Sequence, residues 1–468
     1  MTSTSPARSE VGGLHRRTVA GYAIGSLGTG GFSTLPGLVL VYYLTDTLAV
    51  PALAAGILVG AAKIWDVLID PVIGGSSDRD LLRTGSRRRG MILGAIALPF
   101  LFALTFAVPD GFSPTASGVW VLVAFVLTAT AFSLFQVPYI ALPAELADGY
   151  DQRTRLLTWR VVVLTFAILL FGAGGPALRS LGADERQGYL LMAVIAGVVL
   201  AVGMLLSIAV VPRTGRRAAP AVDRSARRAL IIEGYRAGLG ALRRSQPFRA
   251  LLLTFALQAL ATGMMLAGAQ YVATWVLRSE DAVTFLFLAL IAPALVFTPV
   301  WGVVARRIGK ERGFAIASVI FGIAALSLLG LAWAPGDWAY LPVAVAGAAY
   351  AGMQSLPMAM LPDVISSDAT AHGNGSAGAF GGVWTAGETT GAALGATVLT
   401  LGLAASGYVE SAAGQNVVQS PGAILGIVVT FSVVPAVLIA VSLLALRRYR
   451  VRRADIDQAA IPVAEGIG

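Results

Sequence analysis

Lys63, Asp66 and Asp70 are three charged side chains inside the apolar run Pro51 to Ile73. On an α-helix they fall within an arc of roughly 60° and along about 10 Å of axis. A charge in bilayer hydrocarbon costs at least a few kcal/mol, so such groups face a polar pathway or a partner. Paired carboxylates supply the hard oxygen ligands a small cation prefers. They can instead share a proton, because two like charges this close disfavour full ionisation. Two uses stand open for the stripe: a cation site, or a salt bridge that only ties two helices together.

The rest of the composition narrows the chemistry. Of 468 residues, 56% are hydrophobic and 13% charged, half the charged share of an ordinary soluble domain. Mean hydropathy is +0.77, and the reading is an all-α integral membrane protein. With no cysteine and only His15 and His372, thiol chemistry and a His- or Cys-built metal centre are excluded. Gly373-Asn374-Gly375 lacks the strand and lysine of a phosphate-binding loop, so no cofactor is expected beyond a coupling Na⁺ or H⁺, and no enzyme activity.

The elements that must position the stripe are twelve apolar runs, near 18–43, 51–76, 90–108, 117–143, 156–178, 188–211, 247–277, 281–305, 313–333, 338–362, 374–404 and 421–446. With the N-terminus inside, basic residues crowd the inner joints; only Arg179, Arg186 and Arg278 fall outside, and Lys63 and Arg160 lie within the membrane. This obeys the positive-inside rule. The net charge of +9 therefore reports topology and an anionic inner leaflet rather than nucleic acid. The expected plan is a cell (inner) membrane protein with both termini cytoplasmic: a tail (1–17), a six-helix half (18–211), a basic linker (212–246), a second half (247–446) and a tail (447–468). Ile231, Tyr235, Leu239 and Leu242 in the linker have the spacing of a helix lying on the membrane surface, or belong to a solvated basic segment.

The halves echo each other. Pro71-Val72-Ile73-Gly74 closes the second run and Pro299-Val300-Trp301-Gly302 the eighth; Pro138 and Pro143 recur as Pro357 and Pro362. Two equivalent halves with a site at their interface is the plan of a secondary transporter.

The segments Tyr42-Tyr43-Leu44-Thr45-Asp46, Lys63-Ile64-Trp65-Asp66 and Asp70-Pro71-Val72-Ile73-Gly74 through Asp78-Arg79 resemble the glycoside–pentoside–hexuronide:cation symporters of the major facilitator superfamily. Val137-Pro138-Tyr139 through Leu146, Arg153-Thr154-Arg155-Leu156, Trp159-Arg160 and a block from Asp363 to Gly395 extend the resemblance over nearly the whole chain. It implies the major facilitator fold, with Asp66 and Asp70 binding the coupling Na⁺ or H⁺, Lys63 neutralising them and Arg160 on the substrate side. Asp78 and Arg79 correspond to the cytoplasmic gating loop. Departures stand beside the matches. Gly30 and Gln136 occupy positions the family makes acidic, Glu388 one it makes basic, and Trp384 lies where polar sugar contacts are expected.

The expectation is a cation-coupled symporter, working as a monomer in the bilayer and moving a small organic substrate, a glycoside or an amphipathic, lipid-like molecule. Lysolipid carriers of animals share the fold, so fold does not fix cargo. The alternative is a proton-driven exporter of drugs, lipids or metabolites. Glu388 is expected to pair with Lys63 or Arg160 across the halves, to carry a proton, or to meet the substrate. Gln258, Gln270, Tyr271 and Trp275 are candidates for the cavity, Trp275 reading equally as an interfacial anchor; Tyr42 and Tyr43 read as an outer aromatic belt rather than a site, and Gln354 as a helix–helix hydrogen bond or a ligand group. Glu145 is expected to pair with a loop arginine.

Overall fold

Each apolar run folds into a helix, because hydrocarbon offers the backbone no other hydrogen-bonding partner. The computed structural model describes residues 15–146, 150–211, 240, 242–372, 377–415 and 417–449. The helices are α1 (Arg16–Thr47), α2 (Ala52–Thr84), α3 (Arg88–Phe106), α4 (Pro114–Ala141), α5 (Tyr150–Arg179), α6 (Glu185–Ile208), α7 (Gln246–Val276), α8 (Ala282–Ile308), α9 (Lys310–Ala332), α10 (Tyr340–His372), α11 (Ala377–Ala405) and α12 (Pro421–Leu446). Ten are long and apolar enough to cross a membrane; α10 and α11, of 33 and 29 residues, complete the twelve expected. The surface helix proposed for 212–246 lies almost entirely outside the described residues.

Local chemistry sets the ends. Ser113, Ser245 and Ser420 cap α4, α7 and α12, each accepting from a backbone N–H three residues on, and a proline follows each within two positions. The second helix outruns its apolar segment, since Ser76 to Thr84 remains helical in water until Gly85 ends it at φ 68°. Likewise α10 passes its expected end at 362 and reaches His372.

The helix neighbours repeat between halves. In the first half α1 packs on α5 and α6, α3 on α4 and α6, and α2 on α4. In the second, α7 packs on α11 and α12, α9 on α10 and α12, and α8 on α10. Adding six to each number maps one set onto the other, and the contacts between halves obey the same rule: α2 meets α11 as α8 meets α5, while α1 meets α7 on the axis.

The bonds between halves gather at the end away from both termini. There the α1–α2 loop pairs with the α11–α12 loop, Leu48 bridging Ala412, with Ala49 N–H donating to Ser411 O at 3.0 Å and Ala413 N–H to Thr47 O at 2.9 Å. Thr397 on α11 donates to the Gly56 carbonyl on α2 at 3.0 Å, and Thr284 on α8 to Ala173 on α5 at 3.2 Å. At the other end the ion pairs join helices of one half: Arg87 with Glu145 at 2.5 Å and Lys310 with Asp363 at 2.6 Å. Of the ten candidate spans, α2, α5 and α8 are the least buried. These helices border the seam, so the halves meet at one end and part toward the termini.

Candidate transport site

The charged stripe lies on α2 beyond Gly56 and Gly60, the positions at which α2 touches Thr397 and Thr400 of α11. Lys63 Nζ lies 3.4 Å from Asp66 Oδ2, an i,i+3 contact on one face. Asp66 Oδ1 and Asp70 Oδ1 are each buried without a hydrogen-bond partner among the described residues. Ser133 of α4 bonds the Asp70 side chain, and Trp65 anchors the same stretch by donating to Thr130 at 2.9 Å. One helix thus presents two carboxylates one turn apart, each with a bare oxygen, and one cation that reaches only the first. Bare carboxylate oxygens in a low-dielectric surround are costly unless something positive meets them. Chemically the pair is a hard-oxygen seat for a small cation or a proton.

Across the first half, Arg160 on α5 places its guanidinium 5.7 Å over the Tyr139 ring, and its Nε is buried without a partner. Tyr139 is fixed from α1: its hydroxyl donates to Tyr22 O at 2.8 Å and lies 2.9 Å from Ser26 Oγ, and its ring stacks on Tyr22. Gln136, one turn before, accepts from Thr29 at 2.6 Å. Ser33, one turn beyond Thr29, is exposed on α1.

Gly30 is the first correction. It belongs to the α1–α5 contact, where a Cβ would stand 2.7 Å from Ala167 Cβ and 2.8 Å from the Leu164 carbonyl. No acidic side chain fits there. Glycine is present because the two backbones nearly touch.

In the second half, Trp384 is 2% exposed and stacks on Phe255 of α7 at 4.4 Å, with its indole N–H lacking an acceptor. Glu388, one turn along α11, is half-buried and bonds to no described residue. In this conformation it pairs with neither Lys63, which holds Asp66, nor Arg160, which lies against Tyr139. The cross-half pairing is therefore not formed here. Tyr350 of α10, bonded to Gln354, lies near Glu388.

Several other expectations change. Gln258 is buried between Ser318 and Ser442, donating to both at 2.9 and 3.0 Å, and Gln270 bonds Thr274; neither lines the cavity. Tyr42, Tyr43 and Trp275 are not a belt: both tyrosines are buried, and Trp275 donates across the halves to Asp46 at 3.2 Å. Sequence reasoning passed over Asp46 as a motif letter. Its signal was a carboxylate at the end of an otherwise apolar run. Glu145 does pair with a loop arginine, Arg87, which also donates to Ser77 at 3.0 Å. Arg79 is exposed, and the Asp78 side chain lies outside the described residues.

A family model described as MFS/sugar transport protein matches residues 21–453. The chain is 26% identical over 440 residues to an uncharacterized symporter, YnaJ, of Bacillus subtilis, covering 92% of this chain and 90% of that one. An uncharacterized symporter of Synechocystis is 33% identical over 152 residues, a local match covering 31% of this chain and 28% of that protein. Among solved structures, a D-xylose–proton symporter superimposes with a TM-score of 0.65 at 17% identity, covering 93% of this chain and 97% of the other.

Proposed function

Since this chain belongs to the MFS/sugar transport protein family and is a cation-coupled symporter of a small substrate rather than an enzyme, we propose that Asp66 and Asp70 seat its coupling cation, Na⁺ or H⁺. The observation that carries this reading is the pair of buried, partnerless Oδ1 atoms one turn apart on α2. A cation there would neutralise the excess of the carboxylates over Lys63. Without it, Lys63 covers only Asp66.

The substrate sits between the Arg160–Gln136 wall, backed by buried Tyr139, and the Glu388 face of α11, backed by buried Trp384. Arg160 offers paired donors to hydroxyl or anionic oxygens, and the stacked Trp384 and Phe255 rings give the opposite wall an apolar backing. This mixture suits a glycoside or an amphipathic molecule. With both termini in the cytoplasm of a cell-membrane protein, as the basic joints support, the conformation described is open inward. Cation and substrate then bind in the other state and leave in this one. The unit acts as a monomer, because the whole seam lies within one chain.

Uptake into sealed vesicles under an imposed Na⁺ or H⁺ gradient tests the assignment. Asp66→Asn and Asp70→Asn are each expected to abolish accumulation while the protein stays inserted and monodisperse. Downhill exchange survives, because the substrate contacts lie elsewhere. Normal accumulation in both variants would make the carboxylates structural. Accumulation driven outward by a proton gradient would select the exporter instead.

A further inference from the structure

The first helix of each half ends in the same way. Tyr43–Thr47 of α1 and Val272–Val276 of α7 are π-helical turns, and each is followed two residues later by a non-glycine residue at φ 53°, Ala49 and Arg278. In this register Tyr42 corresponds to Tyr271, Thr45 to Thr274 and Asp46 to Trp275. The corresponding residues bond across the seam. Tyr271 Oη lies 2.6 Å from Thr45 Oγ1, and Tyr42 reciprocally bonds Thr274, with the two tyrosine rings edge-on at 5.0 Å. The two tyrosines enter the π-turns from regular helix, and Thr45, Asp46, Thr274 and Trp275 lie within them.

Of these three corresponding pairs, Asp46 and Trp275 alone differ in residue type. Opposite Trp275 stands Asp46, 3% exposed, accepting from Trp275 Nε1 at 3.2 Å and from the Tyr408 hydroxyl through Oδ1, and from Thr45 at 2.6 Å through Oδ2. Ser411 donates to its backbone carbonyl at 3.1 Å. A carboxylate of the first half is thus solvated by side chains of the second, and hydrogen bonds to a charged acceptor are the strong kind.

We propose that Asp46 is the latch of the gate at this end: a positioning residue that closes the outer side of the cavity and must release Trp275 and Tyr408 before the site can open there. The proposal rests on the alternating-access reading above. The reciprocal Tyr–Thr bonds supply symmetric contact, and the acid supplies the strength that makes the closed end a distinct state. Opening exchanges the indole and phenol donors for water, so the carboxylate remains satisfied in both states and the cost of opening stays finite.

The chain has no cysteine, so a single reporter is clean. Ser33→Cys, at an exposed position of α1 one turn from the Thr29–Gln136 bond, is treated with a membrane-impermeant maleimide added outside intact cells. Labelling is slow with Asp46 in place. It is expected to rise roughly tenfold in Asp46→Ala, which removes the acceptor shared by Trp275, Tyr408 and Thr45, and less in Asp46→Asn, which keeps an acceptor oxygen. Trp275→Phe and Tyr408→Phe each raise it too, and Tyr408→Phe adds nothing once Asp46 is alanine. Unchanged labelling in Asp46→Ala, Trp275→Phe and Tyr408→Phe, each monodisperse, overturns the latch. Should Asp46→Ala fail to fold, the two aromatic variants decide the matter, since they leave the carboxylate in place. Ser180→Cys, exposed on the α5–α6 loop, is the control for sidedness. If it labels only from inside, the orientation fails and the same comparison is made in inverted vesicles. No transport is measured, so a failed coupling assignment leaves the outcome untouched.

Discussion

Gly30 and Ser33 stand one turn apart on α1 and separate two explanations for the missing acid in this helix. If a carboxylate were absent only because the substrate does not need it, Gly30→Asp would be tolerated. The contact with Ala167 and Leu164 says otherwise, because a side chain there must push α5 away and bury a charge between two backbones. Gly30→Asp is expected to lower stability by about 2 kcal/mol or more, read as a fall in melting temperature in detergent. Ser33→Ala, on the exposed face, is expected to stay within about 0.5 kcal/mol of the parent, while Gly30→Ala already falls below it. Equal melting temperatures would place Gly30 in the cavity after all. Charges were legible in the sequence for a plain reason: Lys63, Asp66 and Asp70 stand against an apolar background, and their helical spacing puts them on one face. Gly30, Tyr42 and Trp275 were not legible. Their roles come from contacts with helices far away in sequence, and an interfacial aromatic has the same local pattern as a buried clasp.

At the scale of elements, α2 and α11 touch at the closed end, and in the alternating-access reading they part when that end opens. At that end a Cβ on Gly60 would lie 3.1 Å from Thr397 Oγ1, and Gly56 is closer still to Thr400. Gly60→Cys with Thr397→Cys therefore brings two thiols within bridging range of each other in a chain free of other cysteines. Oxidation is expected to stop uptake by more than about tenfold and reduction to restore it, because a crosslink at the closed end forbids the opposite state. Full transport by the oxidised double variant, with the bridge verified by mass, would mean that these helices do not part there. Hydropathy displayed the twelve helices, since a bilayer dictates both length and composition. It displayed neither the polar extensions of α2 and α10, which are helical without being apolar, nor the π-turns, which add one residue to a turn and leave composition unchanged.

At the scale of the whole molecule, the sum of charges moved across the membrane decides what drives the cycle. The site region holds Lys63 and Arg160 against Asp66, Asp70 and Glu388, an excess of one negative charge. Asp46 and Arg179 lie at the closed end, opposite in sign, where Arg179 bonds Tyr189 at 2.8 Å and meets Glu280 at 3.3 Å. One bound cation makes the site neutral, so a neutral substrate crosses with a carrier of no net site charge, and the empty carrier returns with one negative charge. With the cation site and the inward direction proposed above, each cycle moves one positive charge inward. A potential of 100 mV acting on one charge is worth about 2.3 kcal/mol, which corresponds to roughly fiftyfold accumulation. Vesicles clamped inside-negative with a potassium ionophore, with equal Na⁺ and H⁺ on both sides, are expected to accumulate substrate toward that ratio. Asp66→Asn and Asp70→Asn vesicles are expected to reach only the outside concentration, since an amide already neutralises the excess and no cation need follow. Uptake by the parent that ignores the potential would overturn the single-charge account. It would mean that the substrate itself carries the balancing negative charge, against which Arg160 is the nearest partner.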